Sequence, residues 1–293
     1  MILHKTKGDR IFSLINGLVM VLLCFTTLYP FLYLLSLSFT PTTVSQLTFD
    51  SLIPKEFSLS NYARVFENDN FGQAFLVTIF RTVIGTFSQV FCTMLVAYPL
   101  SKRYFPHRSF WTLFVVIPMF FSGGLIPTYL QIKNLGLINR FLVYIVPGLI
   151  NSSNLLIIRN NFMAFPEELE ESAKIDGANE FKIFVRILIP LSMPVIATIG
   201  LWTAVAHWNS WYDNMIYVSN PDLMVLQQLL RKIIIEGTTA YMNTASDSAT
   251  QVFTNPESVK AATTIVATLP ILLVYPFLQK YFMKGIMIGS LKG

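Results

Sequence analysis

Six long stretches of this chain carry no Asp, Glu, Lys or Arg. The first runs from Arg10 to Asp50. The others lie between Arg81 and Lys102 (20 residues), Arg108 and Lys133 (24), Arg140 and Arg159 (18), Arg186 and Asp213 (26), and Lys260 and Lys280 (19). A helix rising ~1.5 Å per residue crosses ~30 Å of hydrocarbon in about 20 residues, so every stretch is near or above the length of a span. The apolar blocks are continuous, not alternating segments of about ten residues, which favours helices over a barrel. The expectation is an all-α integral membrane protein. Its six spans are expected near 12–38, 80–101, 109–130, 141–161, 187–209 and 259–279. They make a membrane domain over 12–282, with a short N-terminal segment 1–11, a loop at 162–186 and a C-terminal tail at 283–293.

Composition agrees with this. Of 293 residues, 53% are hydrophobic and 13% charged, about half the ~25% charged of a soluble domain. The net charge of +5 does not point to a nucleic-acid partner, because the basic residues flank apolar blocks and form no patch with interleaved aromatics. Their placement gives orientation instead. Lys5, Lys7, Arg10, Lys102, Arg103, Arg108, Arg159, Lys174, Lys182, Arg186, Lys280, Lys284 and Lys292 fall on the side of both termini, which makes 13 of the 21 Lys and Arg. Lys55, Arg64, Lys133, Arg140, Arg231, Lys232 and Lys260 fall on the other side, and Arg81 stands near a span end, where it is expected to snorkel outward. Both termini are therefore expected in the cytoplasm, with outer loops near 39–79, 131–140 and 210–258. The first apolar block exceeds the ~7–15 residues of a cleavable signal core and reads as a retained span. Pro30, Pro99, Pro118, Pro147, Pro190, Pro194, Pro270 and Pro276 mark expected kinks. Cys24 and Cys92 lie inside apolar blocks and read as small fillers.

The absence of sequence motifs argues against catalysis. No G-x-x-x-x-G-K-[ST] phosphate loop and no G-x-S-x-G elbow occurs. The three histidines, His4, His107 and His207, stand in different regions, which leaves no H-E-x-x-H zinc site. No carboxylate falls mid-span, whereas proton- and sodium-coupled carriers use intramembrane acids. The energy for any transport is expected to come from another chain.

One segment differs from its surroundings: FPEELEESAKIDGANEFKIFVRILIPLSMP, between the fourth and fifth spans. Pro166 suits a first helical position, and Glu167, Glu168, Glu170 and Glu171 crowd the end where the helix dipole favours negative charge. Glu170 and Lys174 stand four residues apart and are expected to pair. Phe165, Leu169, Ser172 and Ala173 share one face, Gly177 ends the helix, and a second helix runs from about Asn179 into the fifth span. By helix pattern alone this is also how any solvated loop between two spans could read.

The order Glu171-Ser172-Ala173, three residues, Gly177, nine residues, Ile187-Leu188-Ile189-Pro190 resembles the coupling-helix motif of ATP-binding cassette importer permeases. That motif reads Glu-Ala-Ala, three residues, Gly, nine residues, Ile-x-Leu-Pro; Ser172 and Ile189 are departures that keep the spacing. NYARVFENDNFGQAF, AYPLSKRYF, KNLGLIN, HWNSWYDNMIYV and QKYFMKGIMIGSLKG also look like the subgroup that imports oligosaccharides released from complex polysaccharides. The resemblance implies the type I importer fold, with six core helices per subunit and two different permease subunits forming the path. It implies two ATPase domains on separate chains that bind ATP and Mg, leaving no cofactor on this one, and an extracellular or periplasmic solute-binding protein that delivers an oligosaccharide. It assigns Glu171, Ser172, Ala173, Asp176 and Gly177 to ATPase coupling, with Gly177 allowing a sharp turn and Ala173 a close approach. This chain would then be a non-catalytic permease in the bacterial cytoplasmic membrane.

Path residues are less sharply marked. Trp202, His207, Trp208, Asn209, Trp211 and Tyr212 gather near the outer end of the fifth span. They read either as sugar-stacking and hydrogen-bonding groups or as an interfacial aromatic belt. Asn151, Ser152, Ser153 and Asn154 make a polar run in the fourth span, which suits pore lining or helix-packing contacts equally. Phe120, Phe121 and Tyr129 read as core or lipid-facing. Another cargo, such as an amino acid, phosphate or osmolyte, and a stand-alone carrier or membrane scaffold stay open as alternatives.

Overall fold

The computed structural model describes residues 7–41, 53–54, 56–67, 69–235 and 256–290, with side chains except at 7, 10, 234–235, 256 and 275–290. Parts of the expected N-terminal segment (1–6), of the 210–258 loop (236–255) and of the tail (291–293) lie outside the described residues. The described residues are mostly helical and contain no strand. They fall into two units, one of Met1–Asp69 with Lys232–Thr268, the other of Asn70–Arg231 with Leu269–Gly293.

In the first unit, α1 (Lys7–Ser38) carries a 28-residue apolar stretch, Ile11–Ser38, with none of its most apolar window buried. Its C-terminal end is held by α2 (Ser60–Glu67). Buried Asn61 donates through Nδ2 to the Ser38 and Thr40 carbonyls at 2.9 and 2.8 Å, which satisfies acceptors that the end of a helix leaves open. Phe57 stacks on Phe39 with centroids 4.6 Å apart beside that join.

The second unit is built on α3 (Asp69–Ser101), with α4 (Arg108–Phe120), α5 (Leu125–Asn134), α6 (Ser152–Met163), α7 (Glu167–Ile175), α8 (Glu180–Leu191), α9 (Met193–Asn209), α10 (Tyr212–Tyr217) and α11 (Leu226–Ile235). α11, at Lys232, and the last helix, α12 (Pro256–Ser290), are divided between the units. Two apolar clusters hold the second unit. One joins α3, α6, α8 and α9 through Val90, Met94, Leu155, Ile158, Phe184 and Ile199. The other joins Val77 of α3, Ile132 of α5, Val143, Tyr217 of α10 and Val225.

Three helices, α1, α3 and α12, are each long and apolar enough to cross a membrane. Three further pairs reach that length only together: α4 with α5 bent by 120°, the turns over Phe141–Gly148 with α6 bent by 49°, and α8 with α9 bent by 80°. Among the described residues, length and composition allow three spans, or up to six if each bent pair is one span. The expected span at 109–130 is thus not one straight helix. It stops at Phe120, and Gly124, at φ 84°, starts α5 in a backbone region open to glycine. In the 141–161 stretch, 3-10 turns end at Gly148, and Asn151 caps α6 by accepting from the Asn154 N–H at 3.0 Å. In the 187–209 stretch, Ser192 separates α8 from α9. Within α8, Phe184–Leu188 widens to a π turn. Pro190 accounts for it, having no N–H to donate and a ring that would strike the Arg186 carbonyl. Of the expected proline kinks, Pro190 and Pro194 flank a real bend and Pro118 lies two residues before another, while Pro30 and Pro99 sit inside helices.

Candidate functional site

The residues singled out between α6 and α8 form a short helix with defined ends. Pro166 is the residue before α7 and not its first helical residue; its ψ of 136° is extended. Glu167, Glu168 and Glu170 then occupy the first turn, where the unpaired N–H groups and the dipole favour carboxylates. Gly177 follows α7 at φ 78°, a left-handed conformation that a side chain would strain, and its N–H closes on the Lys174 carbonyl at 3.0 Å. Asn179 caps α8, accepting from the Lys182 N–H at 2.8 Å.

Glu170 and Lys174 do not pair with each other. Glu170 meets Lys102, just beyond the end of α3, and Lys174 meets Glu180 at 2.8 Å. Tertiary partners outcompete the i, i+4 contact, which is worth only about 0.2–0.5 kcal/mol on an open helix. Glu180 also accepts from Tyr104 Oη at 3.0 Å and from Tyr98 Oη. The Lys102 ammonium sits 4.4 Å from the Tyr98 ring centroid, and that of Lys174 4.9 Å from Tyr104. The hydrogen bond to Glu180 holds the Lys174 ammonium above its ordinary pKa, against slight burial. Burial pushes the Tyr104 phenol up, and its hydrogen bond to Glu180 adds to that. These contacts differ in weight. The Lys102 and Glu170 side chains are 7% and 16% exposed, so loss of one partner strands a shielded charge. The Arg103–Glu167 pair at 3.0 Å is open to solvent and is worth about 0–1 kcal/mol.

The motif residues face the other way. Glu171, Ser172, Asp176 and Gly177 are exposed and Ala173 is half-buried. Among the described residues, Glu171, Ser172 and Asp176 enter no side-chain ion pair or side-chain hydrogen bond. The helix is tied down on one side, and its motif side is free.

Arg81 is the main departure from expectation. It does not snorkel: it lies twelve residues into α3, is 2% exposed, and pairs bidentately with Asp213 of α10. Its Nη1 donates to Asp213 Oδ1 at 3.0 Å and to the Ser210 carbonyl at 3.2 Å, and its guanidinium lies 4.6 Å from the Tyr144 ring centroid. Tyr144 Oη donates to the Leu223 carbonyl at 2.6 Å and accepts from Asn214 Nδ2. Sequence reasoning missed Asp213, Tyr144 and Asn214 as partners; the signal was an arginine at the edge of an apolar block with an aspartate at the end of another.

The expected aromatic cluster is not one surface. Trp202 is half-exposed on α9. Trp208 is buried, with its ring edge-to-face with Phe75 at 5.9 Å. Trp211 lies under the Arg231 guanidinium at 3.7 Å and stands edge-on to the exposed Tyr212. His207 packs against Gly85 of α3 so closely that an added Cβ would fall 2.7 Å from the imidazole. Asn209 is exposed at the end of α9. In the polar run, Asn151 is exposed as a cap, and Asn154 reaches Thr203 Oγ1 at 3.4 Å, which joins α6 to α9. The first is a helix cap and the second a contact between packed helices.

Comparison with known proteins fits this arrangement. Residues 63–288 match the family described as "Binding-protein-dependent transport system inner membrane component". Protein LplC of Bacillus subtilis (strain 168) is 44% identical, with 99% of this chain and 98% of that protein aligned. The polygalacturonan/rhamnogalacturonan transport system permease protein YtcP of the same organism is 40% identical over 97% of this chain and 99% of its own length. Among solved structures, a chain of a bacterial ABC transporter involved in import of the acidic polysaccharide alginate superposes with a TM-score of 0.85 at 28% identity. That match covers 95% of this chain and 99% of the other.

Proposed function

The chain belongs to the family of inner membrane components of binding-protein-dependent transport systems, and from that premise we propose that it forms half of the path of an ATP-driven oligosaccharide importer. Its partners are a second, different permease subunit, two ATPase domains that bind ATP and Mg, and a solute-binding protein outside the membrane. The chain performs no chemistry of its own. Both termini and α7 lie in the cytoplasm, as the Lys and Arg distribution favours, and the three bent helix pairs count as three spans, giving six.

The observation that carries this reading is the two-sided α7. One side is fixed to α3 and α8 through the Glu170–Lys102 and Lys174–Glu180 pairs, while Glu171, Ser172, Asp176 and Gly177 stand exposed. An element held to the body and open outward can transmit a force applied to it, which a freely solvated loop cannot. Closure of the ATPase pair acts on this exposed side and drives the spans between inward- and outward-facing states, a rigid-body transition between two arrangements.

A sugar cargo is supported by the relatives' own roles in moving polygalacturonan/rhamnogalacturonan and alginate. Acidic oligosaccharides are therefore the first class to test. The path is lined in part by Trp202 and Tyr212, whose exposed rings suit the C–H faces of sugars. The test is purification from a bacterial membrane followed by reconstitution. Co-isolation with an ATPase and a second permease is expected, with ATP-dependent uptake of labelled oligogalacturonides or other oligosaccharides from a panel. Isolation of the chain alone, with ATP-independent flux, contradicts the proposal.

A further inference from the structure

The proposed role of α7 leaves open how a displacement reaches the spans. Along the chain, α7 continues into α8 through Gly177, Ala178 and Asn179, a turn with a left-handed glycine around which an added Cβ would find open space. A turn of that kind can rotate and absorb a push. The side-chain contacts bypass it. Glu170 of α7 meets Lys102 at the end of α3, and Glu180 of α8 gathers Lys174, Tyr98 and Tyr104 on its carboxylate. Arg159 of α6 donates from Nε to the Leu100 carbonyl at 2.9 Å, tying the third helix end to the same point. Behind these polar contacts, Leu100, Phe162 and Phe184 pack in one apolar cluster, so the α3 end cannot slide without disturbing α6 and α8.

We infer that residues Tyr98–Tyr104 are the receiving end of the coupling device, and that the Lys102–Glu170 pair together with Glu180 locks α7, α8 and the end of α3 into one rigid body. This rests on the reading that α7 is gripped by an ATPase, and it adds the residues that carry the motion onward. Lys102, Glu170, Tyr98, Tyr104 and Glu180 are positioning residues. None lies among the exposed motif residues. Without the lock, motion imposed on α7 is spent in the Gly177 turn; with it, α3 follows directly.

The test measures a distance. In the assembled transporter, with Cys24 and Cys92 replaced by serine, nitroxide labels go on exposed Glu168→Cys of α7 and exposed Phe87→Cys of α3. The separation is read by pulsed electron resonance without nucleotide and after trapping with ATP and vanadate. In the otherwise native chain, the same separation is expected in both states. In Lys102→Glu and in Glu170→Lys, trapping shifts or broadens it, and the double exchange Lys102→Glu with Glu170→Lys restores a single, unchanged separation. Glu180→Gln, which keeps shape and loses charge, gives the same shift should the exchange variants assemble poorly. A separation that changes in the native chain, or that stays fixed in every variant, overturns the lock. A parallel crosslink from Ser172→Cys to the ATPase keeps the two ideas apart. Its absence in the native chain removes the docking reading and the lock with it; its presence throughout, with a fixed separation in every variant, removes the lock alone.

Discussion

Arg81 and Asp213 stand 132 positions apart in the sequence and meet as a bidentate pair, with Arg81 Nη1 at 3.0 Å from Asp213 Oδ1 and a second contact through Nη2. The pair joins α3 to α10, and the Tyr144 ring lies 4.6 Å from the guanidinium. The Asp213 carboxylate, the Ser210 carbonyl and the Tyr144 ring face offset the cost of enclosing this charge.

Removing one partner therefore costs more than removing both. Arg81→Met leaves the Asp213 carboxylate without its counter-charge and is expected to lower stability by about 3–5 kcal/mol, with Asp213→Leu similarly severe. The double variant Arg81→Met with Asp213→Leu is expected to recover much of the loss. Unfolding of the purified chain in detergent, followed by thiol accessibility of native Cys92, measures it. Equal and additive losses in the two single variants would show the pair to be uncoupled.

His207 and Gly85 make a second non-local prediction. An Ala Cβ at 85 would come within 2.7 Å of the imidazole, so Gly85→Ala is expected to destabilise by about 1–3 kcal/mol, the usual cost of overpacking. Gly85→Ala combined with His207→Ala is expected to be milder than Gly85→Ala alone. The same unfolding assay decides it, and a Gly85→Ala variant as stable as the native chain argues against the contact.

Asn139 carries a third. It sits at φ 56°, and its side-chain oxygen accepts from the Ser219 N–H at 2.6 Å, the Ser219 hydroxyl at 3.1 Å and the Asn220 N–H at 3.2 Å. Asparagine tolerates the left-handed region better than most residues, and its amide satisfies the turn after α10. Asn139→Ala is expected to cost about 1–3 kcal/mol through the groups left unsatisfied. Asn139→Gly, which relieves the backbone and still loses the bonds, is expected to fall between Asn139→Ala and the native chain. Faster amide exchange at 219–220 locates the loss.

Much of the helical architecture is legible in the charge-free stretches, because a long apolar run leaves the backbone no partner but itself. Where those helices break is not legible in the same way. Pro118 sits inside α4, which ends two residues later at Phe120, and the chain turns through Gly123 and Gly124. A proline within a helix is tolerated when neighbouring groups absorb the lost bond, and sequence does not show neighbours. The α7 region was legible in its acidic first turn and its glycine stop, although the helix starts one residue later than the Pro166 reading places it. Its contacts were not: Glu170 and Lys174 fit a local rule, but each finds a partner on another element. Arg81 was misread for the same reason, its counter-charge lying on a distant segment. The aromatic residues of α9 and of the turn after it look like one cluster because they are neighbours in sequence, but Trp202, Trp208 and Trp211 have different surroundings.

The exposed side of α7 makes a fourth prediction, about coupling and not stability. Glu171→Lys with Ala173→Asp reverses one exposed charge and adds another, and Gly177→Trp strains the left-handed turn. Membrane insertion and assembly of the two permeases are expected to persist in both. Stimulation of ATP hydrolysis by the loaded binding protein is expected to be lost. Full stimulation in an assembled complex would assign these residues to some other task.

The most direct measurement is the side of the membrane on which Ser172 lies. In the Cys24→Ser, Cys92→Ser background, Ser172→Cys is treated in intact cells with a membrane-impermeant maleimide, and separately in inside-out vesicles. The expected result is no labelling from outside, ready labelling from inside, and protection when the ATPase is bound. Labelling from outside the intact cell would contradict the assignment of α7 as a cytoplasmic lever worked by a nucleotide-driven partner.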